Sequence, residues 1–330
     1  MVRLRRVSAS MPGWSRVAHG KGFRYLDEDG APLPPLDRER CINLVIPPAW
    51  RDVWICPAEN GHLQAVGTDD AGRRQYLYHP AWRERRDAEK FEHMERFARS
   101  LIRNRQVARR EIGDEPDLTT VSAVAFSLLD LGMFRVGSDR YVDENGSHGL
   151  TTVERDHVTR EGRGVTFCYP AKSGQEVEVT VRDDRVNAVL DMLRRRRSGG
   201  DRLFSYKHAG RWRHLTADDV NLYAKDTLGP EFTAKDFRTW RGTVIAAHAL
   251  ALSDASSKTA RKRSITGAMR EVSEHLGNTP AVARSSYVDP RVVDLFQDGI
   301  TVAAGNRRIS PGSPVSRTLE RQVLRLLKKA

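Results

Sequence analysis

One stretch sets the architecture of the larger part of this chain: VTFCYPAKSGQEVEVTV, residues 165–181. Valines alternate with polar residues over 177–181, which predicts a strand with one buried face. The apolar run 165–169 predicts its partner strand, and the segment Pro-Ala-Lys-Ser-Gly between them predicts a turn. A β-hairpin is therefore expected here, with Lys172 in or beside its turn.

Helical patterns surround this hairpin. Upstream, apolar residues recur at helical spacing from about residue 85 onward. Downstream, Thr216 and Thr233 each precede an acidic residue by three positions, a variant of the capping box that predicts two helix starts. A further amphipathic segment ends at Gly277, and Thr279 begins the next helix. Tyr287 is expected about two turns into that last helix, or just past its end.

Residues 1 to about 82 carry a different pattern, in which short β-type runs alternate with turns. The runs are 23–25, 53–55, 63–66 and 76–78. The predicted fold class is therefore α+β. A small β-rich N-terminal domain, residues 1–85, precedes a larger, mainly α-helical domain, residues 86–330, that contains the hairpin as a small sheet.

The charge of the chain favours a polyanionic partner. Its 330 residues include 55 Lys and Arg against 43 Asp and Glu, a net charge of +12. Nucleic acid is the first expectation and an anionic membrane the second. Apolar runs such as 244–252 fall short of the roughly 20 residues that a membrane span needs, and no secretory signal pattern opens the chain. A cytoplasmic protein is expected.

The sequence predicts neither a metal site nor a cofactor. The three cysteines, Cys41, Cys56 and Cys168, form no C-x-x-C pair, and no two histidines lie four residues apart. Gly20-Lys21 lacks the glycine spacing of a phosphate-binding loop, and no D-x-D-x-D cluster for magnesium occurs.

Tyrosine, arginine and lysine can cut a DNA strand without a metal. The reaction needs a nucleophile, cationic donors for the non-bridging oxygens, and an acid for the leaving 5′ oxygen. Arg238 lies near a predicted helix start and Arg135 directly follows an apolar helix, so both suit phosphate binding. Taken singly, such an arginine is more often solvated, and a lone tyrosine or lysine is more often structural.

The order of five motifs resembles the poxvirus-like bacterial type IB DNA topoisomerases, and the likeness extends into the N-terminal region through 46–50 (IPPAW) and 72–78 (GRRQYLY). The motifs are Phe134-Arg135-Val136-Gly137, Lys172 in a hairpin, Lys235-Asp236-Phe237-Arg238-Thr239-Trp240, Leu276-Gly277-Asn278-Thr279-Pro280 and Ser285-Ser286-Tyr287. The resemblance implies the catalytic fold shared by tyrosine recombinases and type IB topoisomerases, with a β-rich DNA-clamping domain before it.

The resemblance also implies catalytic roles. Tyr287 would form a covalent 3′-phosphotyrosyl link, Arg135 and Arg238 would hold the scissile phosphate, and Lys172 would protonate the departing 5′ hydroxyl. Asn278 stands where the family often has histidine. Its amide can donate a hydrogen bond but carries no charge, so we expect weaker stabilisation of the transition state.

Further positions match family segments that lie near DNA. They are Gln75, Tyr76, Tyr78, Arg140, Tyr141 and Lys235. The implied function is relaxation of supercoiled double-stranded DNA by a transient single-strand cut, strand rotation and religation, without ATP or metal. The implied protein is a nucleoid-associated monomer whose two domains close around the duplex.

Two alternatives stay open on the sequence alone. A site-specific tyrosine recombinase shares a similar order of catalytic residues, although the β-rich N-terminal region and the Thr239-Trp240 pair argue against it. A non-catalytic DNA-binding protein would need only the positive charge. That interpretation leaves the order of the motifs unexplained.

Overall fold

The computed structural model describes residues 3–171, 174–303, 305, 308–310 and 312–329. The chain divides into two compact units, Met1–Glu92 and His93–Ala330. The division falls within the helix Pro80–Glu111 (α2), whereas the sequence prediction placed a domain boundary between residues 85 and 86. Each unit is described by itself below.

Unit 1 contains a five-stranded antiparallel sheet in the spatial order β2-β1-β3-β4-β5. Its elements in chain order are β1 (Trp14–His19), β2 (Gly22–Leu26), α1 (Pro35–Asn43), β3 (Arg51–Ile55), β4 (Leu63–Thr68) and β5 (Arg74–Tyr78). One face of the sheet builds a small core that includes Tyr25, Cys41, Ile55 and Ala65. The four predicted strands are present as β2 to β5.

Unit 1 is β-rich, as the sequence predicted, but two of its elements, β1 and α1, were not among the predicted runs. Strand β1 lacks clean alternation because Arg16 is buried in it, where its guanidinium donates to the carbonyls of Ile46, Pro47 and Trp50. The proline-rich start of α1 resembles a turn, yet Pro35 occupies the first helical turn, where a missing N–H costs little.

Unit 2 is mainly helical. Its helices after α2 are α3 (Leu118–Asp130), α4 (Asp139–Asn145), α5 (Asp184–Arg195), α6 (Ala217–Leu228), α7 (Ala234–Ala251), α8 (Lys258–Leu276), α9 (Pro280–Val282), α10 (Pro290–Gln297) and α11 (Arg317–Leu327). Helix α7 lies within the core, and its Phe237, Trp240 and Val244 are buried as the sequence predicted. None of the helices in the described residues is long and apolar enough to cross a membrane.

The predicted hairpin supplies the central strand and one edge strand of a three-stranded sheet in unit 2. Its strands are β6 (Val158–Glu161), β7 (Gly164–Ala171) and β8 (Gln175–Val181), paired antiparallel in that order. A separate hairpin, Ser205–His208 (β9) with Arg211–His214 (β10), was not predicted. The α+β fold class is confirmed.

The helix ends that frame the site follow from local chemistry. Thr216 and Thr233 begin α6 and α7. Thr216 and Asp219 form the reciprocal bonds of a capping box, whereas the Thr233 N–H and hydroxyl both donate to the Asp236 carboxylate. Gly277 ends α8 in the left-handed region with φ +56°, and the Thr279 hydroxyl then caps α9. A tight corner results between α8 and the segment that carries Tyr287.

Candidate active site

Tyr287 ends a short π-helical segment, Ala283–Tyr287, that follows α9 directly. The backbone N–H of Val288 donates to the Ala283 carbonyl at 3.1 Å, the wider hydrogen bond that defines a π turn. The segment packs on α7 at Gly242, where an added Cβ would lie 2.7 Å from the Tyr287 carbonyl oxygen. Glycine therefore lets the backbone of the tyrosine approach the helix closely.

Arg238 lies on the second turn of α7 and is only 3% exposed. Its guanidinium donates to the carbonyls of Gly132 at 3.2 Å and Met133 at 3.1 Å, and also to that of Leu276. Two of these acceptors directly follow α3 and the third is the last residue of α8, so two other segments fix the side chain. Its central carbon lies 5.1 Å from the centroid of the Tyr287 ring.

Arg135 approaches the same phenol from the segment between α3 and α4. One terminal nitrogen lies 3.5 Å from the Tyr287 hydroxyl oxygen, and the other donates to the Gly277 carbonyl at 3.2 Å. The first contact is long for a hydrogen bond. Two arginines thus converge on one tyrosine.

These groups line a cleft of about 580 Å³ in unit 2, together with Lys235, Ser147 and His148. No aspartate or glutamate is among the described residues that line it. Elsewhere in the unit a partly buried arginine is compensated, since Arg105 pairs with Asp130 and Glu320. The cleft therefore concentrates positive charge without carboxylates, which favours an anionic ligand.

The charges in the cleft also alter the acid–base properties of its groups. Burial raises the pKa of the Tyr287 phenol, but Arg238 and Arg135 together outweigh it, so the pKa lies below its ordinary value. Burial, reinforced by Arg135, lowers the pKa of Arg238 to about 10. Burial raises the pKa of Tyr169 on β7, although both arginines oppose it. Tyr287 is thus the phenol whose ionisation the site promotes.

Asn278 follows the corner at Gly277. Its side-chain nitrogen and oxygen are both buried and have no hydrogen-bond partner among the described residues. A buried amide without partners is costly, which is consistent with a group that awaits a ligand. Lys172, predicted as the general acid, lies outside the described residues.

The predicted DNA-binding residues are distributed over both units. In unit 2, Lys235 lines the cleft and Arg140 lies exposed on α4, where it pairs with Glu144. Tyr141 is also on α4. In unit 1, Gln75, Tyr76 and Tyr78 lie on β5; the two tyrosine rings stack 6.2 Å apart, and Gln75 donates to Asp69.

Sequence reasoning missed two residues near the predicted catalytic set, His148 and Tyr169. Tyr169 occupies a core position in the predicted strand, so its type gave no sign of polar surroundings. His148 stands alone in an irregular segment, where a single histidine carries little information. The nearby pair Gly137 and Gly149 was the available signal, because it marks a close approach of two backbones.

Two family profiles match the chain. Residues 79–304 match the family described as eukaryotic DNA topoisomerase I, catalytic core, and residues 22–69 match that described as bacterial DNA topoisomerase IB, N-terminal domain. These matches place the chain among the isomerases of the type I DNA topoisomerase class. Within that class, the chain belongs to the type IB family.

Curated relatives agree with this assignment. The chain is 31% identical to a DNA topoisomerase 1B of Acanthamoeba polyphaga mimivirus over 302 residues, 87% of this chain and 88% of the relative. It is 22% identical over 237 residues to the DNA topoisomerase I of monkeypox virus and to the DNA topoisomerase 1B of vaccinia virus. Those two matches each cover 71% of this chain and 72% of the relative.

Proposed function

We propose that this topoisomerase relaxes supercoiled duplex DNA by cutting one strand with Tyr287 as the nucleophile. The observation that carries the proposal is the convergence of Arg135 and Arg238 on the Tyr287 phenol in a cleft whose described lining has no carboxylate. A phosphodiester bound there would meet the nucleophile and two cationic donors together. This arrangement suits phosphoryl transfer to a protein side chain.

In the proposed reaction, the ionised Tyr287 oxygen attacks the phosphorus and the bond from phosphorus to the 5′ oxygen breaks. Arg135 and Arg238 donate to the two non-bridging oxygens as negative charge accumulates on them. Lys172 supplies the proton that the leaving 5′ oxygen takes up. The product is a 3′-phosphotyrosyl link and a free 5′ hydroxyl.

Religation reverses these steps after the free strand end has rotated. The 5′ hydroxyl returns its proton to Lys172 and attacks the phosphotyrosine, and Tyr287 departs as the leaving group. Because the covalent link retains the energy of the phosphodiester bond, the cycle needs no ATP. The protein groups named here supply the charge stabilisation and the proton, so the proposal includes no metal ion.

Asn278 supplies a neutral donor in the proposed site. Its amide has no partner among the described residues, so a phosphate oxygen can accept its hydrogen without breaking another bond. A neutral hydrogen bond contributes roughly half as much as a charge-assisted one. Asn278 is therefore a weaker contributor than either arginine.

DNA contacts outside the cleft complete the proposal. We assign them to Gln75, Tyr76 and Tyr78 in unit 1 and to Arg140, Tyr141 and Lys235 in unit 2. Backbone phosphates account for most of the affinity in such interfaces, so binding should weaken steeply as salt rises. We also propose that the enzyme acts as a monomer, which size-exclusion chromatography with light scattering would test.

A plasmid assay tests the proposed function. Supercoiled plasmid of arbitrary sequence should relax in EDTA and without nucleotide, and rapid denaturation should trap a covalent adduct to the 3′ end of the cut strand. Strand exchange that requires paired recognition sites, without plain relaxation, would identify a recombinase instead. DNA binding without any adduct would identify a non-catalytic protein.

A further inference from the structure

His148 lies in the cleft that holds the proposed catalytic residues, although no motif pointed to it. It is partly exposed and lines the cleft with Arg135, Arg238 and Tyr287. The imidazole precedes Gly149 in the segment between α4 and the 3₁₀ turn Leu150–Thr152. A histidine beside the proposed phosphate-binding arginines could itself contact a bound phosphate.

The backbone beside His148 is hydrogen-bonded to the segment that carries Arg135. The N–H of Leu150 donates to the Arg135 carbonyl at 2.8 Å, and that of Thr151 donates to the Val136 carbonyl at 2.9 Å. The two segments pack closely: a Cβ on Gly149 would lie 2.4 Å from the Gly137 Cα. The backbone next to His148 is thereby held against the backbone of Arg135 and Val136.

Hydrogen bonding fixes the tautomer and the orientation of the ring. Its Nδ1 lies 2.7 Å from the Thr152 carbonyl oxygen, which can only accept, so Nδ1 carries a proton. The edge of the ring meets His157, with centroids 4.6 Å apart. None of the described residues hydrogen-bonds Nε2. In the neutral ring this nitrogen is a lone-pair acceptor, and only a second proton makes it a donor.

We propose that His148 is a DNA phosphate-binding residue that takes up a proton as the strand enters the cleft. This inference rests on the proposed function, because it places a DNA strand beside Tyr287. A phosphate oxygen is an acceptor, so it repels the lone pair of neutral Nε2 and binds the protonated form. The imidazolium supplies the charge-assisted hydrogen bond that the neutral amide of Asn278 lacks.

The groups that face His148 come from several elements. Arg135 lies on the adjacent segment, and Arg238 and Lys235 face the cleft from α7. Tyr287 also lines the cleft, and His157, whose pKa is lowered by burial and by His148, packs against the imidazole edge. A DNA phosphate would bring negative charge into a cleft whose described charged groups are all cations.

The consequence is a defined dependence of DNA affinity on pH. Because DNA selects the protonated imidazole, affinity should be greatest at low pH and should fall as the pH rises through the range in which histidines titrate. A hydrogen bond to a charged group contributes enough for about a tenfold change in the dissociation constant. Lysine and arginine side chains stay charged throughout this range and contribute little to such a slope.

The experiment measures binding in a Tyr287→Phe background, so that cleavage cannot interfere. The dissociation constant of a duplex oligonucleotide is determined from about pH 6 to about pH 8 at constant ionic strength. Calorimetry in two buffers of different ionisation enthalpy counts the protons taken up. We expect the parent to bind about tenfold more tightly at the lower pH. His148→Gln, which can donate at any pH, should bind with a flatter profile and without that proton.

Control variants separate this role from a structural one. His148→Phe retains an aromatic ring against His157 and should lose the low-pH gain, while its melting temperature shows whether the unit is folded. His157→Gln should keep the pH dependence. An unchanged slope in His148→Gln would overturn the proposal.

A second outcome would also overturn it. If the Tyr287→Phe parent bound DNA independently of pH while His148→Gln in the otherwise unaltered enzyme lost cleavage, the imidazole would act as a base and not as a phosphate-binding cation. Adduct formation by Tyr287 is assayed separately in the otherwise unaltered enzyme. Failure of the proposed function is therefore distinguishable from failure of this inference.

Discussion

Gly242→Ala tests whether the close contact between α7 and the tyrosine segment positions the proposed nucleophile, Tyr287. A Cβ at residue 242 would lie 2.7 Å from the Tyr287 carbonyl oxygen, about 0.7 Å short of the 3.4 Å at which ordinary contacts begin. The obstructing atom belongs to the backbone, so the tyrosine segment must move. A displacement of about 1 Å in a catalytic group can reduce the rate about a hundredfold, so we expect a loss of roughly ten- to a hundredfold.

The fold should tolerate this change. Overpacking of a core costs about 1–3 kcal/mol, while alanine favours a helix interior over glycine by about 1 kcal/mol. The net loss of about 2 kcal/mol or less is small against the roughly 5–15 kcal/mol by which domains are stable. The variant should therefore bind DNA as a folded protein and cleave it slowly.

Single-turnover formation of the covalent adduct is the appropriate assay, with the melting temperature measured in parallel. Gly267→Ala is the matched control: Gly267 is also helical, in α8, but nothing lies within 4 Å of its added Cβ. That variant should be slightly more stable and fully active. Cleavage by Gly242→Ala at the rate of the unaltered enzyme would refute the reasoning, since it would mean that the contact does not position Tyr287.

Three further predictions concern other residues of unit 2: Asn278, Arg238 and Glu320. Asn278→His should retain plasmid relaxation, because an imidazole can donate where the amide has no partner among the described residues; a loss as complete as that caused by removing the nucleophile would contradict the assigned role. Arg238→Gln should shift the rising limb of the pH profile of the cleavage rate to higher pH. Burial raises the pKa of Tyr287, and in this variant only Arg135 would remain to lower it. A rising limb at the same pH as in the unaltered enzyme, measured in single-turnover kinetics, would contradict this. Glu320→Ala should lower the free energy of unfolding in urea by about 3 kcal/mol, because it removes a buried carboxylate that pairs with Arg105; a loss below about 1 kcal/mol would be inconsistent with a buried network.

Much of the fold was predictable because its signals are local. The hairpin that became β7 and β8 was encoded by alternation and a turn, and Thr233 and Gly277 marked their helix ends through capping chemistry. Strand β1 and helix α1 were missed because tertiary contacts override their local signals. Arg16 is buried only because three carbonyls from a distant segment accept its hydrogen bonds.

The candidate catalytic residues could be predicted from the order of motifs that the chain shares with a family. Single residues taken alone gave much weaker indications. The structure brings Arg135 and Arg238 to Tyr287, and it leaves Asn278 without a partner among the described residues. No local pattern could reveal that His148 reaches the same cleft. Its position depends on backbone hydrogen bonds between two irregular segments. Such segments lack the helical or strand periodicity from which a contact could be predicted.

Substitution of Tyr287 by phenylalanine tests the central claim most directly. The variant should bind supercoiled plasmid with the affinity of the unaltered enzyme at the same salt concentration, because phosphate contacts elsewhere account for most of the binding. It should neither relax the plasmid nor form a covalent adduct, because no other phenol is held by Arg135 and Arg238 in the described cleft. Relaxation that persists in Tyr287→Phe would show that another group cuts the strand and would contradict the account.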